Sequence, residues 1–489
     1  MLEYLKDEFN QDQTANGAFA YKSTQSAVLD LFAMGGAYRE RNESDIRTLF
    51  SKAYAENPLY ALRVLFYLRD IRGGQGERRF FRVAIEHLAN HHPEALRKNL
   101  HLIPEYARWD DMWVLLETPL KDDVVKLVKS QLFHDLSVEH PSLLAKWLPS
   151  ENASSYKTKK YAKILREGLG LTPRQYRKTL SKLREQINIV ERKMSANDWH
   201  TIDYSKLPSR AGLIYRQAFL RHDEEGYKKY LEGLQNGTQK INAQTLYPYD
   251  VVLPILEKTY AYRYRDQITP EEIKLFEAQW NALPNYIGEK KEDSLVMCDC
   301  SGSMYFKPLS IAISLAMYIA ERNKGAFHNY FMTFSSRPNL VKITGGNIVE
   351  KVMNIAKHNF IESTNIEKAL KVILDTAVKN NLPKDQMVKK LYIVSDMQFD
   401  MATEGASVHI FKRMKQKFEE AGYDFPHIVF WNVNAFETNT QFTMNDVGVQ
   451  LVSGSSPSVL RYLLETDSKT PYELMLEVIN SERYSAITV

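Results

Sequence analysis

Leu295-Val296-Met297-Cys298-Asp299-Cys300-Ser301-Gly302-Ser303-Met304 is the stretch from which the fold of this chain can be read. The apolar run at 295–298 has the length of a buried strand and stops where polar residues begin. Asp299, Ser301 and Ser303 fall in the turn at its carboxyl end, and residues 309–319 follow as a long apolar segment without Gly or Pro, of helical length. Strand, polar turn and helix put three oxygen side chains at the crevice where open α/β sheets bind ligands. One carboxylate and two hydroxyls form a hard-oxygen set, suited to Mg²⁺ or Mn²⁺ rather than to zinc. Similar strand patterns at 328–334, 391–396, 427–433 and 449–453, with helical patterns between them, predict a βαβ alternation and a mostly parallel sheet.

Asp299-x-Ser301-x-Ser303 after a strand resembles the metal-ion-dependent adhesion site of von Willebrand factor A domains. That family completes its site with a Thr from one later loop and an Asp from another. Here Thr364 precedes a helical run at 366–378, and Asp396 ends the strand pattern Leu391-Tyr392-Ile393-Val394-Ser395-Asp396. The resemblance implies a doubly wound A domain with one divalent-cation site made by Asp299, Ser301, Ser303, Thr364 and Asp396, with Mg²⁺ first and Mn²⁺ second. It also implies an open coordination position of the kind that takes a partner's carboxylate.

A chain of 489 residues suggests two or more domains. No run approaches the roughly 20 apolar residues of a membrane span, and the acidic start has no apolar signal core. A cytoplasmic location and no membrane partner are therefore expected. The two cysteines, Cys298 and Cys300, are too close for an ordinary structural disulfide and are expected to pack as small buried residues. The net charge of +4 is unevenly spread. Residues 286–489 hold 22 Lys or Arg against 23 Asp or Glu, and residues 1–285 hold 42 against 37.

Residues 1 to about 25 read as a polar lead-in, and no strand is expected before residue 295. Between about 26 and 285 the chain is a series of helical patterns, at 46–56, 61–71, 79–88, 124–136, 161–169 and 176–190, with Pro93, Pro104, Pro141, Pro149 and Pro173 at or near the breaks. Some 260 residues of this kind suggest stacked, HEAT-like helix pairs, with an irregular bundle as the rival reading. The expected organisation is an α module at 1–288 followed by an α/β domain at 289–489.

Three stretches in the first half invite function. Arg69-Asp70-Ile71-Arg72-Gly73-Gly74-Gln75-Gly76-Glu77-Arg78-Arg79 is either a helix–helix corner with solvated charges or an anion site with Arg72 and Arg78 beside it. It lacks the spacing of a phosphate loop. Residues 157–193 carry twelve Lys or Arg against three Glu, with Tyr156, Tyr161 and Tyr176 interleaved. Arg174, Arg177, Lys178 and Lys182 share one face of a helix starting at Pro173, which suits phosphate tracking along RNA, with Arg72 and Arg78 as secondary RNA contacts. In Tyr106-Ala107-Arg108-Trp109-Asp110-Asp111-Met112-Trp113, Asp110 is placed to cap a helix. Ala145-Lys146-Trp147-Leu148-Pro149 reads as packing, although Lys146 and Trp147 could face a ligand.

Together with Arg174-Gln175-Tyr176-Arg177-Lys178 and the A-domain pattern, these segments resemble a bacterial and viral family of uncharacterised function, DUF2828. Ala107 stands where that family is expected to have Gly. The family is in turn distantly similar to TROVE-module proteins of the Ro 60 kDa autoantigen type, a ring of helical repeats closed by an A domain. That resemblance implies binding of small structured RNAs and single-stranded RNA ends, and no enzymatic activity is expected from the residues themselves. The rivals are a scaffold that binds a partner protein's carboxylate through the metal and, more remotely, an enzyme; no nucleophile–base pair, zinc set or phosphate loop is visible for the latter.

Overall fold

The computed structural model describes residues 1–489 except 2–4, 6–7, 261–266, 289–292, 306, 334–336, 358–364, 401–409, 436 and 464–468. Among the described residues β1 (Gln11–Gln13) and β2 (Phe19–Tyr21) pair as an antiparallel hairpin. The carboxyl-terminal part is built on β3 (Ser294–Cys298), β4 (Tyr330–Thr333), β5 (Leu340–Lys342), β6 (Lys390–Ser395), β7 (His427–Asn432) and β8 (Val449–Ser453). These form one sheet in the order β5-β4-β3-β6-β7-β8. All pairings are parallel except that of β4 with the edge strand β5. Every residue of β3, β6 and β8 is buried, which is why they read as unbroken apolar runs: both faces of a parallel sheet are covered.

The helix Lys307–Arg322 follows β3 and is buried from Leu309 to Ala320. It lies between the sheet and the helix Pro248–Tyr260 of the amino-terminal part, and for that reason it is apolar on all sides.

The amino-terminal part is helical from Ala27–Met34 to Pro270–Asn281. Its helix starts are written in the sequence. Asn57 accepts from the Tyr60 amide ahead of Pro58–Arg69. Reciprocal Thr172/Gln175 and Thr269/Glu272 boxes open Pro173–Gln186 and Pro270–Asn281, each with proline at the first helical residue. A core of buried apolar side chains runs through both parts of the chain, and a smaller cluster holds Val190, Trp199, Phe219, Tyr227 and Leu275.

Both ends of the helical part meet the sheet part. The Ser453 hydroxyl donates to the Phe32 carbonyl (2.9 Å) and accepts from the Gly36 amide (3.0 Å). A Cβ on Gly36 would lie 2.8 Å from the Ser453 carbonyl oxygen, so the approach requires glycine. At the other end the Trp280 indole donates to Glu321 (2.7 Å), and Glu277 accepts from the Ile348 amide (2.6 Å). The chain thus closes on itself.

Three expectations change. The lead-in is the β1–β2 hairpin, seated on the sheet part, where Tyr21 and Thr440 exchange backbone hydrogen bonds of 2.7 and 2.8 Å. The helical pattern at 176–190 divides into Pro173–Gln186 and Val190–Ser195, with Asn188 left-handed between them (φ 48°). Asp111, not Asp110, takes the capping role at Trp109–Glu117: its carboxylate accepts from the Arg108 amide at 3.2 Å.

Candidate functional site

β3 and β6 are neighbours with Cys298 paired to Val394, so the residues that follow each strand emerge side by side. The chain runs outward from β3 to β4 and β5, then returns to β6. The β3–β6 crevice is therefore the switch point of the sheet, where open α/β sheets bind ligands. The Asp299 amide extends the ladder by donating to the Val394 carbonyl (3.0 Å). Asp299 is buried; one carboxylate oxygen accepts from the Ser301 amide (2.8 Å) and the other from the Ser395 hydroxyl (2.6 Å). The Ser301 and Ser303 hydroxyls are 3.0 Å apart.

Asp396 is also buried. One of its oxygens accepts from the Gln398 amide (3.1 Å), while Oδ2 has no hydrogen-bond partner among the described residues. Burial, and after it the Asp396 charge, pushes the Asp299 carboxyl up to about 6. Burial also raises Asp396, with the nearby Ser303 hydroxyl acting against it. Neither carboxylate has an ion-pair partner among the described residues. Two buried carboxylates without a Lys or Arg, one orphaned oxygen and two adjacent hydroxyls make a donor set that a hard divalent cation would complete.

The structure thus brings Asp299, Ser301, Ser303 and Asp396 together; Thr364 lies outside the described residues. Among the described residues no group of three or more His, Cys, Asp or Glu converges, so a cation here would be held partly by hydroxyls. Cys298 and Cys300 are buried, unbridged thiols with sulfurs 3.9 Å apart.

Two supports of this site were not visible in the sequence. One is Ser395, whose position just before Asp396 was the only signal. The other is the β1–β2 hairpin. The Thr14 hydroxyl donates to the Phe399 carbonyl (2.7 Å), the Ala15 amide to Gln398 Oε1 (2.8 Å) and the Asn16 amide group to the Gln398 carbonyl (2.8 Å). Between Asp396 and this anchor Met397 adopts φ 66°, a conformation uncommon for a side-chain-bearing residue and held by its surroundings.

The glycine–arginine corner is a joint. The amides of Gly74 and Gly76 donate to the Asp70 carbonyl and that of Gln75 to the Tyr67 carbonyl, so they are not free for an anion. A Cβ on Gly74 would lie 1.9 Å from the Tyr67 carbonyl oxygen. Gln75 accepts from the Ser456 amide (3.0 Å), and the Ser458 hydroxyl donates to the Gly74 carbonyl (3.1 Å). The buried Asp70 carboxylate accepts from Arg483 and Tyr484 near the carboxyl end. Arg72 is exposed and reaches the Glu105 carbonyl, and Arg78 pairs with Asp110.

Arg174, Arg177, Lys178 and Lys182 are all exposed on Pro173–Gln186, while Tyr176, Leu180 and Leu183 face inward. Arg177 has one acidic neighbour, Glu151, at 3.3 Å. On the inner side of the same helix Arg184 lines a cavity of about 1260 Å³ that also takes Lys146 and Trp147 in its wall. The Arg108 guanidinium lies 5.0 Å from the Trp147 ring centroid.

Residues 14–137 and 144–292 match the family described as "Domain of unknown function (DUF2828)", and residues 293–485 match the "Domain of unknown function (DUF7788)". Uncharacterized protein L728 of Acanthamoeba polyphaga mimivirus is 30% identical to this chain over 512 aligned residues, 96% of this chain and 87% of the viral protein.

Proposed function

The chain belongs to the DUF2828 family, and from that premise and the geometry above we propose that it is a non-enzymatic RNA-binding protein of the Ro/TROVE type. Its helical part is read as a HEAT-like module. Its sheet part is read as a von Willebrand factor A domain that holds Mg²⁺, or Mn²⁺, through Asp299, Ser301, Ser303 and Asp396, with Thr364 as the fifth ligand. A cation bound there would neutralise the two buried carboxylates and order the loops after β3 and β6, leaving a coordination position for a partner's oxygen. The sheet order, the crevice position and the orphaned Asp396 oxygen support the A-domain reading.

The observation that carries the RNA reading is the exposed cationic face of Pro173–Gln186. Four Lys or Arg stand outward there, and only Arg177 has an acidic neighbour among the described residues. Such a face attracts phosphates by releasing condensed counterions and carries no sequence preference of its own. Selectivity for single-stranded or structured RNA would come from unpaired bases on aromatic side chains and from RNA shape.

The test is a filter or fluorescence titration of single-stranded and duplex RNA at several salt concentrations. Arg177→Ala with Lys178→Ala should weaken binding to all sequences and reduce the salt slope by about 2, roughly one per lost phosphate contact. Wild-type protein that binds no RNA at low salt removes the reading. Copurified material that survives nuclease but not protease would favour a protein-scaffold role instead.

A further inference from the structure

A second cavity, of about 730 Å³, lies where the helical part meets the sheet part, within the size range of small-molecule sites. Helical residues form most of its wall, and Lys307 and Ser455 close it from the sheet side. Seven Lys or Arg side chains line it against two carboxylates, Glu40 and Glu77.

Most of these cations are satisfied. Arg39 pairs with Glu77 (3.0 Å), Arg69 with Asp111 (2.7 Å), Arg78 with Asp110, and Arg210 with Asp250 (3.5 Å). Arg79 donates to the Arg39 and Arg41 carbonyls. Arg108 and Lys307 are different: both are half-buried, and neither has a carboxylate partner among the described residues. Each is left with an aromatic neighbour, Trp147 at 5.0 Å and Tyr249 at 5.3 Å from the ring centroids. Burial, and the further charges of Arg69 beside Arg108 and Arg39 beside Lys307, hold both below their usual range. The Tyr247 hydroxyl, in the same wall, is buried with no hydrogen-bond partner among the described residues. The Tyr247 and Tyr249 rings stack with an interplanar angle of 6°.

Asp110 acts on Arg108, and Glu77, Asp250 and Glu40 act on Lys307, but from beyond ion-pair distance, so part of the cost of burying each cation stays uncompensated; a bound anion removes it. We propose that this cavity is a binding site for a phosphate dianion, drawn in by its cationic wall, to which Arg108 and Lys307 contribute the charges that no carboxylate pairs directly among the described residues. The dianion comes either as inorganic phosphate or as the phosphate of a mononucleotide. The site is separate from the outer face of Pro173–Gln186, and it does not depend on RNA binding there.

The experiment measures thermal stability of the full chain with inorganic phosphate, AMP or adenosine at matched ionic strength, with chloride as control. Wild type should show a saturable rise in Tm with phosphate and AMP and none with adenosine. Tighter binding of AMP assigns a nucleotide; equal binding assigns inorganic phosphate. Arg108→Gln and Lys307→Gln should each weaken the apparent affinity about tenfold or more, as loss of a charge-assisted contact does. Their Tm without ligand should equal or exceed that of wild type, because a half-buried charge that no carboxylate pairs directly has gone. Arg177→Ala with Lys178→Ala should leave phosphate binding unchanged, so failure of the RNA reading and failure of this one are told apart. No saturable shift in wild type, or shifts with the same concentration dependence in both Gln variants, overturns the proposal.

Discussion

At the scale of single residues, buried charge is the informative quantity, and two carboxylates show its opposite uses. Asp111 is fully buried and accepts from Arg69 (2.7 Å) and Arg82 (2.7 Å). Burial alone would raise its carboxyl; the two guanidinium groups outweigh burial and hold it below the usual range. Arg69 is itself only 2% exposed, so Asp111→Ala leaves an uncompensated interior cation and should cost about 3–5 kcal/mol in urea unfolding at neutral pH. The sign with pH follows from the lowered value. The contribution is complete above the unfolded carboxyl's pKa of about 3.9 and is lost as pH falls through the lower folded value. The stability gap between wild type and Asp111→Asn should therefore be flat above about pH 5 and shrink below about pH 4; a gap that widens in acid would contradict the pairing. Asp396 is the reverse case, buried with one oxygen unpartnered among the described residues and Asp299 beside it. Without metal, Asp396→Asn should melt no lower than wild type, since a repelling charge is gone. With Mg²⁺ at about 100 times its dissociation constant, wild type should gain about 2.7 kcal/mol and the variant far less. Equal gains in both proteins would remove Asp396 from the proposed metal site.

Elements explain which parts of this architecture can be read from a sequence. β3, β6, β7 and β8 are five or six residues long, almost wholly buried, and stand out as apolar runs. Asp299 and Asp396 are legible because each follows such a run. β5, with only Val341 buried of its three residues, has no run to detect. β1 and β2 are equally short, and what fixes them is a set of contacts nearly 400 residues away. The arginines of the glycine corner are legible as charge, but whether they meet a ligand or a carboxylate is decided by Asp110 and Asp111, some 30–40 residues on. The hairpin has a consequence that the strands alone do not. Thr14 is buried, donates to the Phe399 carbonyl and accepts from the Ala18 amide (3.0 Å), so it ties the hairpin to the segment that carries Asp396. Thr14→Ala should cost about 1–3 kcal/mol, the penalty of leaving buried partners unsatisfied. It should also speed amide hydrogen exchange at 397–400 and weaken Mg²⁺ binding several-fold. Faster exchange confined to the hairpin would mean that it covers the loop without positioning it.

On the scale of the whole molecule, the halves are joined too closely to behave as beads on a string. One apolar core extends through both, the helix Lys307–Arg322 is buried between them, and both ends of the helical part hydrogen-bond the sheet part. The carboxyl end adds a further clasp: Arg483 and Tyr484 complete the buried Asp70, and the Thr488 amide donates to Asn99 (3.0 Å). Independent domains meet through smaller, more polar surfaces and move relative to one another by default. Here exposing either half would uncover the Lys307–Arg322 helix and strip the buried Asp70 of Arg483 and Tyr484. Heating should therefore give one calorimetric transition with equal calorimetric and van't Hoff enthalpies, although a chain of this length would often unfold in steps. Gly36→Val is the sharper probe, because the added Cβ would meet the Ser453 backbone at 2.8 Å, a contact that no side-chain rotation relieves. If the halves depend on one another, this one substitution should lower the single transition as a whole and loosen protection in helices remote from it, such as Pro248–Tyr260. If it splits the transition and leaves a helical fraction melting at the wild-type temperature, the joint is a docking surface between independent domains, and the cavity between the halves would open without unfolding either.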